Sequence, residues 1–243
     1  MSLFILSKVK LDPRLQESDV LWRYLDAAKF LSLLDGPGLH LTRGDQFADK
    51  FEGTFTKSLK HAIEASYEKQ DIQMTVEEFK KRLRERVFVN CWRQGKDDSM
   101  AMWSLYGRSE FSVAVTTTVG QLRKEACTWS LPYDTSIKKV TYLKHWRDPE
   151  LNANPYSNVF SYKVTAYDYE NEVRVIVDRF HETFDEEPAE KGLFMPLNLN
   201  RFLRSIVVAP EAPEWFFGTV QRACIKYGIT TPVHRSKLAT EPH

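Results

Sequence analysis

The sequence lacks the signature motifs of the commonest enzyme classes. It contains no phosphate-cradling glycine loop, no GxSxG elbow, no HExxH and no CxxC pair. Each of these motifs places backbone amides, a nucleophile or metal ligands at the spacing that its chemistry requires. Their absence argues against a conventional kinase, hydrolase, dehydrogenase or zinc enzyme.

Cysteine is also scarce. The three cysteines, Cys91, Cys127 and Cys224, are far apart, odd in number and without metal-ligand spacing. This usage is typical of buried free thiols in a reducing compartment rather than of a disulfide framework.

Long hydrophobic runs and a dominant sign of charge are missing as well. The N-terminal "MSLFILSKVKLDPR" has an apolar run of four residues before charged residues begin, too short for a signal peptide or a membrane span. The 34 basic and 33 acidic residues nearly cancel, so net charge indicates neither a nucleic acid nor a membrane as partner. We expect a soluble, cytoplasmic protein.

The residues that are present predict one α+β domain spanning 1–243. The stretch "DVLWRYLDAAKFLSLLDGPGLHLTR" predicts a strand at Leu21 to Tyr24, a helix capped by Asp26, and a second strand. Residues 56–86 are rich in charge, with apolar residues at helical spacing, and predict a helical insertion. The segment 182–192 predicts an exposed loop. Strands and helices mix without a regular βαβ rhythm, which favours the α+β class.

One predicted strand carries charge on alternate positions. In "YDYENEVRVIVD", residues Tyr167 to Asp178, the residues Glu170, Glu172 and Arg174 share one face, and the valines between them form the other. We expect the valines, Val173, Val175 and Val177, to pack in the core. The charged face has two interpretations, a solvated strand surface or a functional site.

The succession of landmarks resembles a large bacterial family known only as domain of unknown function 2971. The resemblance covers roughly Val20 to Lys237 and rests on five stretches: "LWRYLDAAKFLSLL", "LHLTRGDQFADKFEG", "VNCWRQGKDDSMAMWSLYG", "YENEVR" and "IVVAPEAPEWFFGTVQRACIKYGI". This chain departs from the family pattern at Ala48 and Lys50, where Asn and Pro are usual, and at Arg93, where Ser is usual. The family name implies no function.

A second resemblance, to the ADP-ribosyltransferases, implies a chemistry. An arginine on a first strand, an aromatic-rich middle and a late Glu-x-Glu strand resemble the plan of enzymes that cleave the nicotinamide–ribose bond of NAD. In that resemblance Glu172 stabilises the oxocarbenium-like transition state and Glu170 orients or deprotonates an acceptor. NAD is then the candidate substrate and no metal is expected. The implied cofactor-binding residues are Arg23 for a phosphate, Tyr24, Trp103 and Tyr106 as stacking aromatics, and also Arg43.

Each of these residues also has a structural interpretation. Arg23 and Arg43 would pair with the glutamates across neighbouring strands. Trp103 and Tyr106, with Met100, would form a packed helix face. Glu172 on an open strand face would contribute little to packing, so we expect Glu172→Gln to leave stability almost unchanged.

Two other functions stay open. Asp45, Asp49 and Glu52, together with Glu170 and Glu172, would converge on Mg²⁺ or Mn²⁺ in a phosphodiesterase, unless the first three are turn and cap residues. A non-catalytic sensor or interaction module of a stress or antiphage system is the third class. Our prediction is a central mixed, mainly antiparallel sheet, split around a cleft and flanked by helices, with Arg23, Glu170 and Glu172 on one concave surface.

Overall fold

The computed structural model describes residues 9–49, 51–144, 151–181, 183–184 and 190–239. Its strands are β1 (Lys10–Leu11), β2 (Val20–Asp26), β3 (Gly38–Arg43), β4 (Val87–Gln94), β5 (Ser112–Thr118), β6 (Asp134–Lys139), β7 (Thr141–Leu143), β8 (Tyr162–Val164), β9 (Glu172–Asp178), β10 (Gly192–Pro196), β11 (Ser205–Val208) and β12 (Val233–Arg235). The α-helices are α1 (Ala27–Asp35), α2 (Lys57–Gln70), α3 (Val76–Arg84), α4 (Met100–Met102), α5 (Val119–Ala126), α6 (Leu199–Phe202) and α7 (Glu214–Lys226).

Shorter helical turns link these elements. A π-helix, Trp103–Gly107, continues α4. The 3₁₀ turns are Gly44–Gln46, Cys127–Trp129, Tyr156–Ser161, Thr165–Glu170 and Lys237–Ala239. Over the described ranges, no helix has the length and apolar character needed to cross a membrane.

The main sheet is mixed and mostly antiparallel, as predicted. Its strands lie in the order β1-β6-β9-β4-β2-β5-β11-β12, with β3 attached to β4 and β10 attached to β3. The β1–β6 and β11–β12 pairs are parallel, and the other pairs of this sheet are antiparallel. A separate parallel pair joins β7 and β8.

The sheet splits at β4. On one edge β4 pairs with β9 from Val87 to Arg93. On the other edge, β2 pairs only with Arg93 and Gln94, and β3 pairs only with Phe88 and Val89. The two strands therefore diverge from the same edge of β4 and leave a gap beside Asn90, Cys91 and Trp92, which is the predicted cleft.

Two hydrophobic cores cover the two faces of the sheet. The larger core contains Val173, Val175 and Val177 of β9, as expected, together with buried residues of α1, α5, α6 and α7. The smaller core packs Phe79 and Leu83 of α3 against Val89 and Ile176. The helical insertion predicted for 56–86 thus exists as α2 and α3, and it covers the sheet face to which the even-numbered residues of β9 point.

Two sequence expectations need correction. Glu170 does not lie on the strand: it ends the 3₁₀ turn Thr165–Glu170, and β9 begins at Glu172. The cause is Asn171, which adopts a left-handed conformation at φ 43°, one that asparagine tolerates better than most residues. The predicted loop 182–192 falls partly outside the described residues; within them, Thr183 is buried and Gly192 already belongs to β10.

Candidate active site in the split sheet

The gap between β2 and β3 opens into a cavity of about 870 Å³. Its walls come from β2, β3 and β4, from the π-helix, from residues 47–49 and 51–52, and from the segment 163–172. Five of the seven residues predicted for an NAD site line this cavity: Arg23, Tyr24, Tyr106, Glu170 and Glu172. The split in the sheet is therefore what brings residues of distant elements together.

Arg23 is the cationic residue of the β2 wall. Its guanidinium carbon lies 5.9 Å from the ring centroid of Trp92. Within the part of the chain that the structure describes, no carboxylate or other acceptor is bonded to this guanidinium, and burial lowers its pKa. The strand register places the Arg23 side chain on the sheet face of Trp92 and Val173, opposite to the face that carries Glu172, which corrects the expectation that all three predicted residues share one face; Arg23 still lines the cavity. A cation with no bonded acceptor among the described residues is suited to bind an anionic ligand.

Tyr24 and Trp103 form an aromatic support beside Arg23. The Tyr24 hydroxyl accepts a hydrogen bond from the Ser99 backbone N–H (3.0 Å), and burial raises its pKa to about 12. Trp103 contacts Tyr24 edge-on, with ring centroids 4.8 Å apart, and its indole N–H donates to Asp98 (3.0 Å). Trp103 does not line the cavity, so its predicted role as a stacking residue is replaced by support of Tyr24.

Arg43 is also not among the residues that line the cavity. Its guanidinium donates two hydrogen bonds to Asp45 (2.7 and 3.0 Å) and one to the Glu190 carbonyl (2.8 Å). This arginine is 7% exposed and its donors are engaged. Because Arg43 is held by Asp45, neither residue takes the site role that the sequence suggested.

A group of buried charges, here called the charge cluster, forms one side of the cavity. It comprises three carboxylates and two cations: Glu52, Glu170, Glu172, Lys163 and Arg174. All five residues are buried, and Arg174 is completely so. The cluster therefore carries one net negative charge beneath the cavity.

Arg174 is the cation that holds Glu172. Its Nη2 lies 2.7 Å from Glu172 Oε2 and 2.7 Å from Glu52 Oε2, and its Nη1 donates to the Phe160 carbonyl (2.7 Å). Burial alone would raise the pKa of Glu172, but Arg174, Lys163 and a hydrogen bond with Cys91 together lower the pKa by more. Glu172 is thus ionised at neutral pH, as an electrostatic role in catalysis requires.

Glu170 is held from two sides. Its Oε1 accepts from the Tyr106 hydroxyl (2.7 Å) and its Oε2 from Lys163 Nζ (2.6 Å). Tyr106 is presented by the π-helix, a rare element that often marks functional sites. The sequence indicated Tyr106 and Glu170 as candidate site residues but did not indicate that the two side chains contact each other.

Lys163 is the residue that sequence reasoning missed. It lies on the short strand β8 and is surrounded by the three carboxylates of the charge cluster. The only available signal was a lysine in a short β-type stretch, "YKV", which does not distinguish a buried lysine from an exposed one.

The metal-site alternative does not fit these positions. Glu52, Glu170 and Glu172 do converge, but on the Lys163 ammonium and the Arg174 guanidinium. Asp45 is paired with Arg43, and the Asp49 carboxylate accepts from the Phe51 N–H (2.9 Å). Among the residues that the structure describes, no group of three or more His, Cys, Asp or Glu residues is placed to hold a metal ion.

Cys91 lies in the cavity wall next to Glu172. Burial, reinforced by the negative charge of Glu172, raises its pKa well above that of a free thiol. A thiol in this state is a poor nucleophile, so we assign no catalytic role to Cys91.

Comparisons with known proteins add little at this site. No family model and no curated protein matches the sequence, so the resemblance to the family of unknown function gains no support. A similar solved structure is that of Thermus sp. 2.9 DarT in complex with ADP-ribosylated ssDNA, with a TM-score of 0.40 and 11% identity over 92% of this chain and 96% of that chain. Such a likeness is too distant to carry a function over.

Proposed function

We propose that this protein binds NAD in the cavity of the split sheet and cleaves its nicotinamide–ribose bond, as an ADP-ribosyltransferase-like enzyme. One observation supports this function above others. Arg23, whose guanidinium has no bonded acceptor among the residues that the structure describes, lines the same aromatic cavity as Glu170 and Glu172. A dinucleotide needs this combination, an anion site for its pyrophosphate and a negative group where positive charge develops on its ribose.

The walls suit the rest of the ligand. Aromatic rings of Trp22, Tyr24, Trp92 and Tyr106 line the cavity and offer faces to nicotinamide and adenine. A volume of about 870 Å³ lies within the usual range of about 300–1,000 Å³ for ligand sites. Arg23 is the residue we assign to the pyrophosphate.

The chemistry follows from charge. When the nicotinamide–ribose bond breaks, its electron pair leaves with nicotinamide, which becomes neutral, and the ribosyl carbon gains oxocarbenium character. We assign Glu172 to stabilise that positive charge and Glu170 to accept the proton of the attacking water or acceptor hydroxyl or amine. Water as acceptor gives ADP-ribose, and the reaction needs no metal.

The test is release of nicotinamide from NAD in EDTA. Wild-type protein is expected to release it, and Glu172→Gln is expected to be slower by about 10²-fold or more, because the stabilising charge is gone. The matched control is Glu214→Gln, which removes a carboxylate that is 84% exposed and paired with Arg235; it should equal wild type. Equal rates for wild type and Glu172→Gln would contradict the assignment of Glu172.

The pairing within the charge cluster favours one alternative function. Because Glu170 and Glu172 both lie against cations, their charges are partly neutralised, and the cavity would also serve a sensor that binds a nucleotide without cleaving it. Binding of NAD by wild-type protein with no nicotinamide release, with or without added acceptors, would support the sensor.

A further inference from the structure

Lys163 has an unusual position for a lysine. The residue is 6% exposed, and its Nζ lies 2.6 Å from Glu170 Oε2, 3.4 Å from Glu52 Oε1 and 3.6 Å from Glu172 Oε2. The ammonium also lies 4.6 Å from the ring centroid of Tyr167. One cation thus touches all three carboxylates of the charge cluster.

Arg174 does not duplicate this role. It contacts Glu172 and Glu52, and within the described residues Lys163 is the cation bonded to Glu170. With both cations the cluster has a net charge of −1, and without Lys163 it would have −2. Neighbouring carboxylates without a neutralising cation hold a proton between them, because two like charges at short range cannot both stay ionised at low cost.

We infer that Lys163 is the positioning residue that holds Glu170 beside Glu172 at the cavity wall and keeps Glu172 ionised. The catalytic consequence rests on the proposed function, whereas the charge state of the glutamates does not. Lys163 touches neither Arg23 nor the aromatic faces assigned to the ligand in any described contact, so it acts through the two glutamates.

The groups around the cluster make the titration interpretable. Tyr106 faces it from the π-helix, Tyr142 from β7 and Cys91 from β4, and the pKa of each is raised, mainly by burial. Tyr167 lies over the ammonium, and Arg84 donates to the Glu52 carbonyl (2.7 Å). Burial lowers the pKa of Lys163 but the surrounding carboxylates raise it by more. Only the glutamates are therefore expected to titrate when Lys163 is replaced.

The experiment is the pH profile of nicotinamide release by three proteins. Lys163→Met should move the acid limb to higher pH by about one unit or more, because one of the glutamates takes up a proton. The double variant Lys163→Met with Glu52→Gln restores the net charge and keeps Glu170 and Glu172, so its acid limb should return towards that of wild type. Lys80→Met, which removes a surface lysine paired with Glu77, should leave the profile unchanged.

A second readout does not depend on activity. Carboxyl ¹³C NMR should show, in Lys163→Met, a buried glutamate titrating above its wild-type pH. If wild-type protein releases no nicotinamide, the proposed function fails, and this titration still decides the role of Lys163. If the acid limb or the carboxyl titrations of Lys163→Met lie at the same pH as in wild type, the proposed role of Lys163 is wrong.

Folding of the variant also has a defined outcome. If Lys163→Met is unfolded at pH 7 by circular dichroism, it should fold at about pH 5, where one glutamate can be protonated. A variant that remains unfolded at both pH values would contradict the inference.

Discussion

At the scale of single residues, Glu172 is both a wall of the cavity and the ion-pair partner of a completely buried arginine. Replacing it by glutamine leaves Arg174 with Glu52 as its carboxylate partner. We therefore expect Glu172→Gln to lower the free energy of unfolding by about 2 kcal/mol. This corrects the expectation from an open strand face that stability would hardly change. Urea unfolding measures the difference, and an unchanged midpoint would show that the pair contributes little.

The same ion pair gives a pH dependence with a defined sign. The pKa of Glu172 is lowered in the folded protein from the ordinary value of 4.5. Its stabilising contribution is therefore complete above pH 4.5 and is lost as the pH falls through the folded pKa. The difference in Tm between wild type and Glu172→Gln should be largest near neutral pH and should shrink below about pH 4.5. A difference that grows on acidification would be inconsistent with a lowered pKa.

At the scale of elements, the π-helix is joined to the charge cluster through the hydroxyl of Tyr106. Tyr106→Phe keeps the ring that lines the cavity and removes the hydroxyl that donates to Glu170. The hydrogen bond contributes about 1 kcal/mol, so the Kd for NAD should rise by about fivefold. Isothermal titration calorimetry at low temperature measures this Kd.

The control for Tyr106 lies on the same π-helix. Leu105 is 48% exposed and does not line the cavity, so Leu105→Ala should leave the Kd unchanged. Equal Kd values for Tyr106→Phe and wild type would mean that the π-helix closes this side of the cavity without help from the hydroxyl.

Local signals explain which elements could be predicted from the sequence. The unit of β2, α1 and β3 follows from alternation, from the Asp26 cap and from the Gly-Pro-Gly stop, all of which act within a few residues. The start of β9 at Glu172 depends on one left-handed residue, Asn171, and the alternation of charge in the sequence continues across that residue without interruption. The π-helix has the same apolar spacing as an ordinary helical turn, and sequence periodicity therefore did not predict it.

At the scale of the whole molecule, the site exists because β2 and β3 share one edge of β4. That pairing joins strands separated by more than forty residues, and no local pattern specifies its register. The sequence could propose Arg23, Glu170 and Glu172 as one site through resemblance, but the burial of the charge cluster and the place of Lys163 depend on the packing of α2 and α3 over the sheet.

Arg23 and Arg43 provide a matched pair for the whole account. Both were candidates for cofactor binding and both lie on strands that flank the gap, but of the two Arg23 alone lines the cavity. Arg23→Gln removes a buried cation that has no bonded acceptor among the described residues, so its Tm should equal or exceed that of wild type. Arg43→Gln breaks the bidentate pair with Asp45 and should lower the free energy of unfolding by about 1–3 kcal/mol.

The most direct measurement is the thermal shift caused by NAD in EDTA for wild type, Arg23→Gln and Arg43→Gln. A ligand that binds only the native state raises Tm by mass action. We predict that NAD raises the Tm of wild type and of Arg43→Gln by the same amount and leaves that of Arg23→Gln unchanged. A shift in Arg23→Gln equal to that of wild type, or no shift in wild type at millimolar NAD, would contradict a dinucleotide site in the split sheet.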